Sequence, residues 1–358
     1  MSDSLLFSPF QLGRIALKNR IVMAPMTRNR SIGNVPGELV ATYYGQRATA
    51  GLIITEGTSP SPNGVGYARI PGLYNEEQVA GWRAVADAVH ASGGRIFVQL
   101  MHTGRASHAD NLPAGAKVVG PSAITLPSEI YVDGKGNVPA TPPHALTEDE
   151  IDATLNEYAR AAELAIAAGC DGVELHGANG YLIDQFLNVG ANQRTDRWGG
   201  SLENRMRFAL EAARRCIATI GADRVGIRLS PYGVFNGMTP DPDMEALYLG
   251  LSAELGKLGL AYIHIVDHSS MGAPRLPEGL KAAMKASFGG TLITSGGYDR
   301  ARAEADLASG VGELVAFGRP FISNPNLVEK LRTGAPLVAP DFATFYTPGP
   351  AGYTDYPA

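Results

Sequence analysis

The segment His176-Gly-Ala-Asn179-Gly-Tyr181 sets an imidazole and a carboxamide three residues apart and adds a phenol two residues further on. Side chains of these types can meet at one oxygen, with the imidazole and amide donating hydrogen bonds to it and the phenol standing by as a proton donor. A phenol with a pKa of about 10 keeps its proton at neutral pH, which suits it to act as an acid. The other reading of His176 is a structural histidine at a strand end. A second cluster carries different chemistry. Ser295-Gly296-Gly297 and Gly318-Arg319 combine glycines, which let backbone N–H groups approach an anion, with a guanidinium that can grip oxygens as a fork. A phosphorylated ligand is one reading of that cluster; a plain turn with a surface cation is the other. No Gly-x-Gly-x-x-Gly opens a βαβ unit and no Walker A loop occurs, so a dinucleotide on its own fold or a nucleoside triphosphate has no evident seat. His102 with His108, and His264 with His268 at i and i+4, lack the carboxylates of a metal motif, and no metal is expected. Cys170 and Cys216 make neither a disulfide framework nor a thiolate site and read as core thiols.

These residues need elements to hold them. Eight apolar, β-branched runs recur along the chain: Arg20–Ala24, Gly51–Thr55, Arg95–Leu100, Gly172–His176, Val225–Leu229, Tyr262–Val266, Thr291–Thr294 and Glu313–Phe317. Their hydrophobicity is continuous rather than alternating, as in parallel strands covered on both faces. Helical spacing fills the gaps at about Glu76–Ala91, Leu202–Ile220, Met244–Lys257, Asp299–Ser309 and Pro325–Arg332. It is clearest after Thr147-Glu-Asp-Glu150, which has the form of a capping box; Ile151, Leu155, Tyr158, Ala162 and Ile166 then make an apolar stripe, and Gly169 is a stop signal. Eight alternations without a linker predict an α/β fold, a single (β/α)8 TIM barrel forming one domain over residues 1–358. Residues 102–146, rich in Pro and Gly, read as a capping insertion after the third strand, with a β-hairpin turning at Asp133-Gly134. In such barrels the chemistry sits at the C-terminal ends of the strands. Those ends carry Pro25-Met26-Thr27, Glu56-Gly57, Gln99, the His176 cluster, Arg228, His264 and both glycine clusters.

Composition sets the outer limits. Of 358 residues, 45% are hydrophobic and 18% charged, the balance of a globular protein with material for a sizeable core. Thirty Lys+Arg against 35 Asp+Glu leave a net charge of −5, which offers no positive field for a phosphate backbone or an anionic bilayer, so neither nucleic acid nor membrane is expected as a partner. No run approaches the roughly 18 apolar residues of a membrane span, and the N-terminal segment lacks the apolar core of a signal peptide, so a cytoplasmic location is expected. The segment from Thr344 to Tyr356 is too aromatic for a solvated end; it should pack on its own barrel or on a neighbour, which leaves a homo-oligomer open.

Several longer motifs resemble those of the Old Yellow Enzyme family of FMN-dependent ene-reductases. They are Ala24-Pro-Met-Thr-Arg28, Gln99-Leu-Met-His-Thr-Gly-Arg105, the His176 cluster through Leu182, Asp184-Gln-Phe-Leu-Asn188, Asn192 to Arg205, Arg228-Leu-Ser230 and Phe317-Gly-Arg-Pro-Phe321. They keep the family's order across nearly the whole chain. The resemblance implies noncovalent FMN, reduced by NADPH or NADH and reoxidised at the same face by an activated alkene, in ping-pong fashion at one shared pocket. By the same carry-over, Gly296, Gly297, Gly318 and Arg319 hold the FMN phosphate, while Pro25, Met26, Thr27, Gly57, Gln99 and Arg228 surround the ring. His176 and Asn179 polarise the oxygen of an α,β-unsaturated carbonyl or nitro compound, hydride passes from flavin N5 to the β-carbon, and Tyr181 protonates the α-carbon. Tyr67 and Tyr346 line the pocket mouth. Met101 stands where many relatives carry tryptophan, and is expected to widen the pocket. Three rivals to an alkene reductase follow from the same residues. The site could serve nitro groups, nitrate esters or quinones; the chain could bind flavin without turnover; or it could be a metal-dependent barrel hydrolase.

Overall fold

The eight apolar runs pair side by side and close into a parallel barrel in the computed structural model, which describes residues 4–357. In chain order the barrel strands are β1 (Ile21–Met23), β2 (Leu52–Ile54), β3 (Ile96–Leu100), β4 (Gly172–Gly177), β5 (Val225–Leu229), β6 (Tyr262–Val266), β7 (Thr291–Ser295) and β8 (Leu314–Phe317). Each pairs with the next, and β8 pairs with β1, so the fold is the TIM barrel expected. The helices are α1 (Glu38–Gln46), α2 (Glu76–Ala91), α3 (Glu148–Ala167), α4 (Leu182–Leu187), α5 (Leu202–Ile220), α6 (Met244–Lys257), α7 (Leu280–Phe288), α8 (Arg300–Ser309), α9 (Arg319–Ser323) and α10 (Leu327–Thr333). Among the described residues no helix is long and apolar enough to cross a membrane.

The apolar strands hide an alternation. Val22, Leu52, Ile54, Phe97, Tyr262, Ile293, Leu314 and Ala316 form one core inside the barrel, whereas Ile21, Met23, Ile53, Val98, Val173, Ile227 and Ile263 join a second core beneath the helices. Successive strand residues face opposite ways, so a strand buried on both sides feeds two cores at once. A short antiparallel hairpin, Phe10–Leu12 with Ile15–Leu17, adds Leu12, Ile15 and Leu17 to the inner core and plugs the barrel beneath it.

Three differences from the sequence expectation have physical reasons. Helix α1 is rich in valine, threonine and tyrosine, poor helix formers; it holds by burying Val40, Tyr43 and Tyr44. Helix α7 is bounded by Gly279 and Gly289, both left-handed. In α3 the capping box forms as expected, with Thr147 Oγ1 accepting from Glu150 N at 3.2 Å and Glu150 Oε2 from Thr147 N at 2.8 Å. Its buried stripe, however, ends on Ala161, Leu164 and Ala165, and Ile166 is only half-buried. Steps of four residues overshoot a 3.6-residue turn, so an i+4 row rotates off the buried face.

The segment at 102–146 carries the expected hairpin, Glu129–Val132 with Gly136–Pro139. Its loop has three residues rather than two, because Val132 pairs with Gly136, and Gly134 and Gly136 both take positive φ. Parallel pairing of Val119–Gly120 with His144–Ala145 fastens the segment's flanks. Ala106, Leu126, Ile130 and Ala140 then form a small core on which Tyr67 and Tyr181 pack.

The aromatic tail packs on its own barrel through three buried arginines that donate to main-chain carbonyls. Arg28 reaches Phe345 O at 3.1 Å and Gly352 O at 2.8 Å; Arg30 reaches Thr344 O and Phe345 O, each at 2.7 Å; and Arg47 reaches Tyr353 O at 3.4 Å. Tyr353, fully buried, stacks on Tyr43 at 4.1 Å between ring centres. Replacing Tyr353 by alanine empties that slot and should cost about 3 to 5 kcal/mol. We expect a markedly lower midpoint in urea unfolding, and an unchanged midpoint would show that the tail is not part of the cooperative structure.

Candidate active site

Towards the C-terminal ends of the middle strands, the inward positions change from apolar to polar. Phe97 is followed on its face by Gln99, Tyr262 by His264, and on β4 and β5 the inward residues are Glu174, His176 and Arg228. Glu174 organises this layer: Oε1 accepts from Gln99 Nε2 at 2.8 Å and Oε2 lies 2.9 Å from His264 Nδ1. Arg228 pairs in register with both His176 and His264. Its guanidinium is buried and makes no hydrogen bond among the described residues, and its Nε has no partner. Burial lowers its pKa, while Glu174 opposes the drop.

The loop after β4 is locked from below. Asn179 and Gly180 take φ of 62° and 72°. An asparagine tolerates this left-handed backbone better than most residues because its short side chain bonds locally. Asn179 N donates to Ser230 Oγ at 2.9 Å, its carbonyl accepts from Asn236 Nδ2 at 2.8 Å, and Gly180 N donates to Asp184 Oδ2 at 2.8 Å. Gln185 Nε2 spans Gly180 O and Thr103 O at 2.8 and 3.0 Å. Above this frame His176 and Tyr181 meet edge to face with ring centres 4.9 Å apart, and Tyr67 abuts Tyr181 at 6.0 Å. Burial, with Arg228, His264 and His268 nearby, drives the His176 pKa well below its usual value, so the ring is neutral. Burial, reinforced by Tyr67, pushes the Tyr181 phenol well up.

A cavity of about 740 Å³ opens beside this loop. Pro25, Met26, Thr27, Asn179, Arg228, Gly296, Gly297, Gly318, Arg319 and Tyr346 line it. At one end, nothing among the described residues accepts from the main-chain N–H groups of Gly296, Gly297, Gly318 and Arg319. Gly296 has φ of 126°, and a Cβ there would strike the carbonyl oxygen of Asp267. Such a row of free donors and an unpaired buried guanidinium fit an FMN, with its anionic phosphate and oxygen-rich ring edge. The volume is also within the range of a cofactor site.

The remaining expected site residues stand next to the cavity rather than on its wall. Gln99 lies in the polar layer below, and His176 and Tyr181 form the neighbouring corner with Tyr67. Met101, 1% exposed, belongs to a closed cluster with Val65 and Ile70, backed by Tyr67 and Tyr181. A Cβ on Gly57 would collide with the Met101 sulfur, so Met101 fills space behind the tyrosines rather than opening the cavity. Arg319 is exposed, its Nη2 3.1 Å from Met271 Sδ. His264 and His268 do not converge: the first faces Glu174, and the second reaches Asn179. Among the described residues no group of three or more His, Cys, Asp and Glu could hold a metal. Both cysteines are buried, and burial drives both thiol pKa values up, that of Cys216 to about 12. Glu174 and, apart from His268, the turn from Asp267 to Met271, four of whose residues border the cavity, were not singled out from sequence. The signal for the first was an acid inside the otherwise apolar run Gly172-Val-Glu-Leu.

Residues 5–337 match the family described as the NADH:flavin oxidoreductase / NADH oxidase family. The chain is similar to 12-oxophytodienoate reductase 7 of Oryza sativa subsp. japonica, 44% identical over 98% of this chain and 94% of the relative. It is 46% identical to a chanoclavine-I aldehyde reductase of Penicillium roqueforti, over 98% and 95% of the two chains. Among solved structures, morphinone reductase matches with a TM-score of 0.96 at 46% identity, over 99% of this chain and 96% of that one. An old yellow enzyme homologue from Zymomonas mobilis matches with a TM-score of 0.93 at 39% identity, over 99% of each chain.

Glu56, at the end of β2, accepts from Arg28 N at 3.0 Å and thereby holds the loop that bears Thr27. Complete burial raises its pKa from 4.5 to about 7, against the pull of Arg28. The folded protein therefore keeps this proton where the unfolded chain has released it, so stability falls as pH rises from 4.5 to 7. A shift of this size corresponds to a penalty on the order of 3 kcal/mol above that window. Glu56→Gln should flatten the dependence of the unfolding midpoint on pH across this window; a slope equal to wild type would exclude Glu56 as its source.

Proposed function

The chain belongs to the NADH:flavin oxidoreductase / NADH oxidase family, the Old Yellow Enzyme family, as an NAD(P)H-dependent oxidoreductase, and on that premise we propose that it binds FMN noncovalently and reduces activated alkenes. In this reading residues 1–358 act as one FMN-binding domain. Gly296, Gly297, Gly318 and Arg319 would hold the phosphate, and Pro25, Met26, Thr27, Gly57, Gln99 and Arg228 would surround the ring. FMN held there would supply hydride transfer between NADPH or NADH and the β-carbon of the alkene. The two substrates use the pocket in turn. The relatives named as reductases of 12-oxophytodienoate and morphinone support an organic small molecule as oxidant. A reducing compartment such as the cytoplasm suits the two buried thiols.

One observation carries the reading: a neutral imidazole, a carboxamide and a protonated phenol stand together beside an unpaired, buried guanidinium. His176 and Asn179 hold the electron-withdrawing oxygen of an α,β-unsaturated carbonyl or nitro compound, so charge developing there meets fixed N–H donors. Because the donors are placed before the substrate arrives, no reorganisation is needed when that charge appears. Tyr181 gives its phenolic proton to the α-carbon, and its partial exposure lets solvent return one. Tyr67 and Tyr346 flank the substrate.

Purified protein should show oxidised flavin absorption near about 450 nm. Under nitrogen the band should bleach with NADPH and return with 2-cyclohexen-1-one. Protein that stays colourless after FMN is added would overturn the reading. Tyr181→Phe should slow enone reduction by about 10² to 10⁴-fold while reoxidation by a quinone, which needs no proton on carbon, stays close to wild type. Equal losses in both would remove Tyr181 as the proton donor.

A further inference from the structure

The turn after β6 sends one side chain back to the rim. Asp267 caps it, its Oδ1 accepting from Ser269 N at 3.0 Å, and His268 follows, buried at 6% exposure. His268 Nε2 lies 2.7 Å from Asn179 Oδ1, and its ring centre is 4.7 Å from that of Phe235. Burial beside Arg228 brings its pKa down to about 4, so the ring is neutral at physiological pH. A neutral imidazole has one N–H. With a carbonyl oxygen opposite Nε2, the proton must sit on Nε2, and Nδ1 is left as the partnerless atom that the structure shows. The consequence falls on Asn179. Its amide can turn by 180° and present either oxygen or NH2 to the cavity. An imidazole N–H held against Oδ1 selects one of these, with both hydrogens of Nδ2 free, since Nδ2 has no partner among the described residues.

From this geometry we infer that His268 is a positioning residue that sets the amide of Asn179 with its NH2 towards the substrate oxygen. The inference rests on the proposed function, in which Asn179 and His176 receive that oxygen. Without His268 the backbone contacts of Asn179 with Ser230 and Asn236 remain, so the loop stays in place while the amide loses its bias. In the flipped state an acceptor faces an acceptor. His268 borders the cavity too, but on the substrate oxygen it acts through Asn179, and that effect should vanish once the Asn179 side chain is removed.

The test uses FMN-loaded protein and cyclohexanone, the saturated ketone, which offers the oxygen but no alkene. Its dissociation constant is read from the shift it causes in flavin absorption, and 2-cyclohexen-1-one reduction is followed in parallel. His268→Leu should weaken cyclohexanone binding by about tenfold, the loss of one buried hydrogen bond and its orientation. His268→Gln, whose amide N–H can replace the imidazole donor, should stay within about threefold of wild type. In Asn179→Ala protein, adding His268→Leu should change nothing further, a non-additivity that a general loosening of the fold would not produce. Should His268→Leu fail to retain FMN, His268→Ala takes its place in the same cycle. Binding unchanged in the His268 variant, or a full additional loss on top of Asn179→Ala, overturns the inference. If wild-type protein holds FMN yet neither binds cyclohexanone nor reduces the enone, the proposed function fails first and takes this inference with it.

Discussion

A guanidinium inside a barrel is the constraint from which the rest of this molecule can be derived. Burying Arg228 costs solvation that the protein must return in some other form. Glu174 supplies the opposite charge one layer down, and is itself occupied by Gln99 and His264. That arrangement satisfies the acid while leaving the guanidinium free, so the cation faces the cavity with its donors unspent. The barrel can carry this polar layer because its other end is sealed with hydrocarbon, including three residues of the N-terminal hairpin. With water excluded from below, each charge in this layer acts at longer range than in solvent.

The same constraint explains why the loop beside Arg228 is held by main-chain bonds. A rim of neutral donors works only if each is aimed, and long surface loops do not aim well. Here Gln185, Asp184 and Ser230 fix Asn179 and Gly180 from beneath, and Asn188 and Asn192 fix the chain that leads away, through Thr239 O, Phe186 O and Trp198 O. Arg205 reaches Leu187 O at 2.9 Å and pairs with Asp241, both nearly buried. On the far side of the cavity, Arg28, next to Thr27, and Arg30, two residues further on, grip the tail that carries Phe345 and Tyr346. Tail and rim are thus one piece of structure, and the two cavity walls share their anchors.

The sequence is legible to unequal depth for reasons visible in these contacts. Strands buried on both faces read as continuous apolar runs, so all eight could be placed, but their division into inner and outer cores needs the closed barrel. The long motif from Asp184 to Arg205 is the most recognisable part of the chain, yet its polar residues support the loop instead of lining the cavity. Helix α1 was illegible because its propensity opposes its packing. His268 stood in view as half of a histidine pair, but spacing along the chain put it with His264, while the barrel curvature turns it to Asn179. Glu174 pairs across strands, with Gln99 and His264, and no local pattern announces a partner 75 residues away in one direction and 90 in the other.

Arg228 also decides which groups near the cavity can carry protons. Its field adds to burial in depressing both His176 and His268, so neither ring can serve as an imidazolium acid at neutral pH. A proton donor in such a place has to be neutral before it gives its proton, and the phenol of Tyr181 meets that condition. Giving the proton up would leave a phenolate in a buried setting, which burial alone opposes. The guanidinium changes the balance, because it interacts favourably with a charged Tyr181 just as it does with Glu174. Burial together with this cation thus keeps the imidazoles neutral as hydrogen-bond donors, and the cation eases the single ionisation the proposed chemistry requires. A lysine could supply the charge at this position, but a buried lysine sheds its proton far more readily than an arginine. The guanidinium remains charged without water, and the division of labour between donor and acid depends on that persistence.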